Sequence, residues 1–142
     1  MSQGYLLVLD DNAGIRHLLN ELLTQKGYTV ETAENRMECL SKIHADELDL
    51  VIWDYRILCK GGSEIVTELK RGNPNLPIIM ITTNLEMTCI NEGLINGSIN
   101  NYLTKPFDLD EVCYLVKILV NKRIEIDNRN YDNDRVCNAI SL

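Results

Sequence analysis

The sequence lacks an excess of basic charge, a long apolar run and any closely spaced pair of cysteines. Its 14 Lys and Arg residues are outnumbered by 21 Asp and Glu residues, so the net charge is -7 at pH 7. Nonspecific nucleic-acid binding needs a basic surface, and we therefore expect no direct binding to nucleic acid. No apolar stretch reaches the length of a membrane span, and the chain does not open with a secretion signal. We expect a cytoplasmic protein with no membrane segment.

The cysteines and histidines give no sign of a disulfide framework or a zinc site. The cysteines are odd in number and none belongs to a CxxC pair; they are Cys39, Cys59, Cys89, Cys113 and Cys137. We expect them to be reduced thiols. His17 has no second ligand at metal-binding spacing, which favours an ordinary surface histidine.

The sequence does contain a regular alternation of strand and helix patterns. Hydrophobic residues make up 45% and charged residues 25% of the chain, the balance of one globular domain. Strands are predicted at residues 5–9, 28–33, 50–54, 77–83 and 99–104, and helices at 13–26, 35–45, 63–71, 86–95 and 108–123. This order predicts an α/β fold, with a parallel five-stranded sheet covered by helices on both faces.

Several element boundaries can be predicted from single residues. Asn12 is a candidate N-cap of the first helix, and Gly27 is a candidate for the residue that ends it. The second helix is expected to turn Met37, Leu40 and Ile43 inward. The last helix is expected to end near Arg123, so we predict a folded unit over 1–123. Residues 124–142 then form a polar tail, or the last helix continues through Ile124 and Ile126 as the start of a linker.

Polar residues follow the apolar strands at the points where the strands end. Asp10 and Asp11 follow the first strand, and Asp54 ends the third. Thr82 begins the polar end of the fourth strand, and Lys105 follows the fifth. Parallel strands bring their carboxyl ends to one edge of the sheet, where open α/β folds bind ligands. We therefore expect these five side chains to converge.

Three converging carboxylates predict a magnesium site and a phosphoryl acceptor. Two carboxylates about 4 Å apart repel by roughly 4 kcal/mol at an effective dielectric near 20, so the cluster favours a hard cation such as Mg²⁺. We assign the ion to Asp11 and Asp54, with Asp10 acting through water. An oxygen of Asp54 can act as the nucleophile and form an acyl phosphate. Lys105 would contact one phosphoryl oxygen, and the Thr82 hydroxyl would donate a hydrogen bond to another.

The motifs at these strand ends resemble those of a known family. LLVLDDN, LVIWD, PIIMITT and YLTKPF, with Gly62 eight positions after Asp54, resemble the receiver domain of bacterial two-component response regulators. The similarity covers about residues 5–122. A weaker pattern over residues 62–82 resembles the receivers of sigma-54 activators. The resemblance implies a flavodoxin-like fold with strand order 2-1-3-4-5.

The resemblance also implies a role for each residue of the cluster. Asp54 would accept a phosphoryl group from a sensor histidine kinase or a histidine phosphotransfer protein. Asp10 and Asp11 would be the acidic pair for Mg²⁺, and the main-chain carbonyl of Arg56 would be a further ligand. Lys105 would contact the phosphate.

A conformational switch is implied in the same way. Thr82 and Tyr102 would be the switch pair, the threonine moving toward the phosphoryl group and the tyrosine following it. The face made by the fourth predicted helix, the fifth strand and the fifth helix would then change its preference for an output domain or a partner protein. A homodimer that forms on phosphorylation is a further expectation.

The sequence departs from the family pattern close to the site. Ile57-Leu58 stand where Met-Pro is usual, and Gly61 replaces an acidic or amide residue, so the loop is expected to be looser. Thr83 is bulkier than the usual small residue. Arg56 replaces a common Asn or Glu and is expected to change the lifetime of the acyl phosphate.

Two other functions are compatible with the residues. A Mg²⁺-dependent phosphatase or phosphotransferase of the haloacid dehalogenase group also forms an aspartyl phosphate. Those enzymes carry Asp-x-Asp after the first strand, whereas this chain has Asp10-Asp11-Asn12. An interaction module that works without phosphorylation is the second alternative, and the intact acidic cluster argues against it.

Overall fold

A five-stranded parallel sheet forms the centre of the protein. The computed structural model describes residues 2–42, 47–57, 63–82 and 99–140. The strands are β1 Tyr5–Leu9, β2 Thr29–Ala33, β3 Leu50–Asp54, β4 Ile78–Thr82 and β5 Asn101–Thr104. Their order is β2-β1-β3-β4-β5, and all neighbours are parallel. The expected flavodoxin-like α/β fold is therefore confirmed.

Helices connect the strands and cover the sheet. Within the described ranges they are α1 Ala13–Gln25, α2 Arg36–Lys42, α3 Ser63–Gly72 and a C-terminal helix, Leu109–Ile140. A single helical turn, Tyr55–Ile57, follows β3 directly, at the start of a segment that the sequence predicted to be loop.

The boundaries of α1 are those that its sequence predicts. The Asn12 side chain accepts a hydrogen bond from the main-chain N–H of Ile15 at 3.1 Å, which satisfies one of the free donors at the helix start. Gly27 has φ 98°, a left-handed conformation that glycine adopts without strain. A Cβ there would lie 2.9 Å from Cγ of Gln3. The tight turn at Gly27 lets β2 return alongside β1.

The sheet separates two apolar layers. One layer packs against α2 and α3 and includes Leu7, Leu9, Val51, Trp53, Met80, Cys39 and Leu69. The other packs against α1 and the C-terminal helix and includes Leu6, Val8, Ile52, Ile81, Leu19, Leu23, Val112 and Val116. Every residue of β3 and β4 is buried, as expected for interior strands that are covered on both faces. On these two strands, polar side chains can therefore reach solvent only near the strand ends.

The inward face predicted for α2 is wrong. Met37 is 82% exposed and Leu40 is 49% exposed, whereas Cys39 is fully buried against the sheet. Successive helical residues are about 100° apart, so a helix that packs through Cys39 turns Met37 nearly to the opposite side. The large apolar side chains of Met37 and Leu40 indicated the wrong helix face, because the buried position is occupied by the smaller Cys39.

The predicted end of the last helix near Arg123 is also wrong. One continuous helix runs from Leu109 to Ile140. Residues 107–142 contain neither glycine nor proline, so no residue in this stretch stops the helix. The division into 1–123 and 124–142 stays a prediction.

Some expectations fall outside the described residues. These are the inward position of Ile43, the helix at 86–95, the loop residues Leu58 and Gly61, the family glycine Gly62 and the bulky Thr83. Among the helices that the structure describes, none combines the length and apolar character that crossing a membrane requires.

Candidate functional site

The predicted acidic cluster forms at the carboxyl edge of the sheet. β1 and β3 are hydrogen-bonded neighbours with Leu9 opposite Trp53, so the residues that follow these two positions emerge side by side. Asp10, Asp11 and Asp54 each place a carboxylate oxygen within 4.8 Å of the other two. Asp10 and Asp54 are buried, and the Asp11 side chain is 40% exposed. The cluster is open to solvent on the Asp11 side.

Asp54 is a buried carboxylate that is held on both oxygens. Oδ1 accepts a hydrogen bond from the main-chain N–H of Arg56 at 2.8 Å, and Oδ2 accepts one from Nζ of Lys105 at 2.7 Å. Burial alone would raise the pKa of this carboxyl, but the hydrogen bonds and the charge of Lys105 outweigh it and lower the pKa. Asp54 is therefore ionised at neutral pH, which is the state that a nucleophilic carboxylate requires.

Asp10 lies beside Asp54 but accepts fewer hydrogen bonds. Its side chain is fully buried, and Oδ1 accepts a hydrogen bond from the main-chain N–H of Asn12 at 2.8 Å. Oδ2 has no hydrogen-bond partner among the described residues, and Nζ of Lys105 is 3.6 Å away. Burial, helped by the negative charge of Asp54, raises the pKa of Asp10 to about 6. A buried carboxylate with an unused oxygen is costly, and a hard cation with its water shell would supply the missing partner. The donor set therefore fits Mg²⁺.

Lys105 connects the fifth strand to this cluster. Its main-chain N–H donates to the carbonyl of Thr82 at 2.8 Å, which fixes the chain just after β5. Its ammonium group then reaches back across β4 to Asp54, as the sequence predicted. The Lys105–Pro106 peptide bond is cis.

The side chain of Arg56 enters the site, which the sequence analysis did not foresee. Nη2 lies 3.1 Å from Oδ1 of Asp11 and 3.5 Å from Oδ2 of Asp54. The sequence predicted a main-chain carbonyl ligand at Arg56 and an effect of this residue on the acyl phosphate, but no contact of its side chain with the carboxylates. The position of Arg56, two residues after Asp54, could have indicated this contact, because the turn Tyr55–Ile57 brings the side chain back over the strand end.

Arg16 is a second cation that the sequence reasoning missed. Nη1 donates to the main-chain carbonyl of Asp10 at 2.8 Å, and Nη2 lies 3.6 Å from Oε2 of Glu34. Arg16 therefore ties the loop after β1 to the end of β2. It holds the backbone that carries the acidic pair, and its side chain is only 19% exposed.

The predicted switch residues lie on neighbouring strands. In the sheet register Asp54 is opposite Ile81, so Thr82 is one residue beyond the acceptor's partner. Met80 is opposite Tyr102, and both side chains pack in the layer that faces α2 and α3. Side chains alternate along a strand, so Thr82 is on the same face as Met80 and Tyr102. Thr82 is 2% exposed, and Tyr102 is partly buried.

A family model and individual proteins match this chain. The family model described as response regulator receiver domain matches residues 6–117. Sporulation initiation phosphotransferase F from Bacillus subtilis is 35% identical over 117 residues, which are 82% of this chain and 94% of that protein. The transcriptional regulatory protein KdpE from Staphylococcus aureus is 33% identical, and the DNA-binding transcriptional regulator NtrC from Escherichia coli is 32% identical. Each alignment covers 82% of this chain, but only 50% of KdpE and 25% of NtrC.

Solved structures agree with the fold. The chemotaxis protein CheY4 from Vibrio cholerae superposes with a TM-score of 0.70 and 28% identity, covering 82% of this chain and 98% of that one. Full-length FixJ from B. japonicum gives a TM-score of 0.74 at 22% identity, and the match covers all of this chain and 70% of that one. The match to FixJ concerns the fold alone.

Proposed function

The chain belongs to the family of response regulator receiver domains, and from this premise we propose that Asp54 accepts a phosphoryl group in a Mg²⁺-dependent reaction. Receiver domains are phosphoacceptor signalling domains of two-component systems. The donor would be a sensor histidine kinase or a histidine phosphotransfer protein. The 2.7 Å contact between Lys105 Nζ and Asp54 Oδ2, beside two further carboxylates, is the observation that carries the proposal.

Asp54 is prepared for the transfer by its neighbours. One of its oxygens attacks the phosphorus, the P–N bond to the donor's histidine breaks, and the imidazole leaves with that electron pair. The lowered pKa keeps the attacking oxygen ionised. The main-chain N–H of Arg56 holds the carboxylate in orientation, and the Lys105 ammonium is placed to pair with an oxygen of the arriving phosphoryl group.

The three carboxylates of the acidic cluster would hold the metal. Asp11 and Asp54, with the main-chain carbonyl of Arg56, are the proposed direct ligands, and Asp10 is proposed to act through water. Mg²⁺ bound there supplies positive charge against the phosphoryl oxygens. The unsatisfied Oδ2 of Asp10 is the feature of the chain that supports this assignment.

Thr82 and Tyr102 are proposed to carry the signal away from Asp54. Thr82 would donate its hydroxyl to the phosphoryl group, and Tyr102 would move on the same face of the sheet. The partner face would include β5, the C-terminal helix and the segment predicted as helix at 86–95. Phosphorylation can shift this equilibrium only by contacting the two conformations unequally. An output domain, a partner protein or a second phosphorylated copy in the cytoplasm would read the change.

The acceptor is tested by intact mass after incubation with acetyl phosphate, with and without Mg²⁺. We expect one phosphoryl adduct that requires Mg²⁺ in the wild type, and none in Asp54→Asn. Asp49→Asn is the matched control, because it makes the same exchange at the opposite edge of the sheet and should still be phosphorylated. An adduct that persists in Asp54→Asn would move the acceptor to another residue.

We propose that catalysis is limited to self-phosphorylation and self-dephosphorylation. The relevant comparison is with a true phosphatase acting on an external substrate. Incubation with p-nitrophenyl phosphate and Mg²⁺ should release no more nitrophenol from the wild type than from Asp54→Asn. Turnover that depends on Asp54 would instead support the haloacid-dehalogenase type of activity.

A further inference from the structure

The guanidinium group of Arg56 lies between two of the oxygens that would hold the metal. Nη2 is 3.1 Å from Oδ1 of Asp11 and 3.5 Å from Oδ2 of Asp54. No other ion pair or hydrogen bond of this side chain is found among the described residues. The group is thus a positive charge placed at the solvent side of the acidic cluster.

The two cations of the site differ in how firmly they are held. Lys105 is 21% exposed and makes a 2.7 Å hydrogen bond to Asp54 from within the sheet edge. The Arg56 side chain is 53% exposed, and its contact with Asp54 is at the 3.5 Å limit of a hydrogen bond. Exposed ion pairs are weak. Arg56 is therefore the cation that can leave when another arrives.

Arg56 and a metal ion would compete for the same atoms. Asp11 Oδ1 accepts the guanidinium hydrogen bond, and Asp11 is also the most exposed of the three carboxylates. A metal bound directly to Asp11 and Asp54 cannot share that space with an N–H group pointed at both. The main chain of Arg56 is not in conflict, because its N–H contacts Asp54 independently of the side chain.

We propose that Arg56 is an intramolecular competitor of Mg²⁺ whose guanidinium group occupies the acidic cluster in the metal-free protein and swings away when the metal binds. The inference rests on the proposed function, since it assumes that the cluster holds Mg²⁺. Arg56 lowers the affinity for Mg²⁺ below what the three carboxylates and Lys105 alone would give. It makes occupancy of the site, and with it phosphorylation, more dependent on the Mg²⁺ concentration.

The test is a titration with MgCl₂ at constant ionic strength, followed by fluorescence. Trp53 is the single tryptophan and directly precedes Asp54, so it reports on the site. Arg56→Gln removes the positive charge, and Arg56→Lys keeps a positive charge but lacks the planar guanidinium group. Arg71→Gln is the matched control, because Arg71 is 70% exposed and its ion pair is with Glu68, away from the cluster. Isothermal titration calorimetry gives an independent dissociation constant.

We expect Arg56→Gln to lower the dissociation constant for Mg²⁺ by about three- to tenfold, since an exposed pair and a nearby like charge are removed. Arg56→Lys should lie between this variant and the wild type. Arg71→Gln should match the wild type. Asp11→Asn should lose most of the binding, both as a single substitution and in combination with Arg56→Gln.

Three results would overturn the inference. Equal dissociation constants for wild type and Arg56→Gln would show that the guanidinium does not compete, while leaving the metal site intact. An equal gain in Arg71→Gln would assign the effect to net charge. Absence of Mg²⁺ binding in every variant would remove the metal site itself, and with it the Mg²⁺ requirement of the proposed function. The mass assay on Asp54 is separate, so failure of the inference alone leaves the phosphoacceptor assignment untouched.

Discussion

The two edges of the sheet both carry charged residues, but they use them differently. At the carboxyl edge three carboxylates face two cations. At the amino edge Arg123 of the C-terminal helix donates to Oδ1 of Asn73, and its Nε lies 3.6 Å from Oδ1 of Asp49. The first cluster carries excess negative charge, whereas the second pairs one cation with one anion.

The amino-edge network joins distant parts of the chain. Asp49 Oδ2 accepts the main-chain N–H of Tyr5 at 2.8 Å, and Asn73 Nδ2 donates to the carbonyl of Leu48 at 2.8 Å. The starts of β1 and β3 are thereby tied to the segment before β4 and to the C-terminal helix. These hydrogen bonds join polar groups of distant segments, which is how buried polar groups stabilise a fold. The carboxyl edge instead carries an excess of negative charge that a bound cation would balance.

Removing the central cation of the amino edge should have the largest effect. Arg123→Ala leaves Asp49 and Asn73 without their partner in a mostly buried setting, so we expect a loss of about 3 kcal/mol in the free energy of unfolding. Urea denaturation measures it. Arg71→Ala, an exposed arginine with a single surface pair, should change stability by less than about 0.5 kcal/mol. Similar losses in the two variants would mean that the network adds no stability.

The carboxyl edge should respond in the opposite direction. Asp10→Asn removes a buried charge and keeps an oxygen for the N–H of Asn12. We expect the variant to be more stable than the wild type by about 2 kcal/mol at pH 7. It should also bind Mg²⁺ more weakly, because a charge of the cluster is lost.

This gain should depend on pH. The pKa of Asp10 is raised to about 6 in the folded state, above the value of about 3.9 in an unfolded chain. Between these values the folded protein binds more protons, so the stability of the wild type falls as pH rises from about 4 to about 6. The difference between Asp10→Asn and the wild type should therefore be small at pH 4 and complete at pH 7. Urea denaturation at both pH values checks the sign, and a difference independent of pH would contradict the assignment to Asp10.

The carboxyl edge could be predicted from sequence far better than the amino edge. Asp10, Asp54 and Lys105 each follow an apolar strand, and the parallel arrangement of strands is sufficient to bring them together. No comparable pattern in the sequence indicates that the side chain of Arg123 is buried. A charged residue late in an amphipathic helix usually faces solvent, and its burial depends on how the helix crosses the starts of β3 and β4. Asn73 directly precedes Pro74, and this position indicates only a turn.

Side-chain direction and helix length were the remaining failures. The sequence placed Arg56 beside the acceptor but could not show that its guanidinium turns back onto Asp11, because that depends on the turn Tyr55–Ile57. The extension of the last helix to Ile140 matches the alternative of a continued helix, whereas the polar composition after Arg123 favoured a tail. The strand order was implied by the family resemblance, and the edge residues by the alternation of strands and helices. The direction of the Arg56 side chain and the length of the last helix instead depend on packing geometry that one sequence does not display.

Metal binding offers a further way to separate the two edges. At a free Mg²⁺ concentration about tenfold above the measured dissociation constant, the unfolding free energy should rise by about 1.4 kcal/mol. Asp11→Asn should abolish the increase, because it removes a proposed ligand. Arg123→Ala should retain it despite a lower starting stability. Urea denaturation with and without Mg²⁺ measures all three, and an increase that persists in Asp11→Asn would place the ion elsewhere.

The smallest expected effect is also the most direct comparison of the two edges. Asp49→Asn makes the same exchange as Asp10→Asn, but at a carboxylate that has an arginine partner and is 28% exposed. The amide oxygen can still accept the N–H of Tyr5, so only the ion pair with Arg123 is weakened, and we expect a loss of about 1 kcal/mol at pH 7. One substitution thus stabilises the protein at the carboxyl edge and destabilises it at the amino edge. If urea denaturation gave both changes in stability the same sign, the charge balance around each carboxylate would not explain the difference between the ligand-binding edge and the stabilising edge.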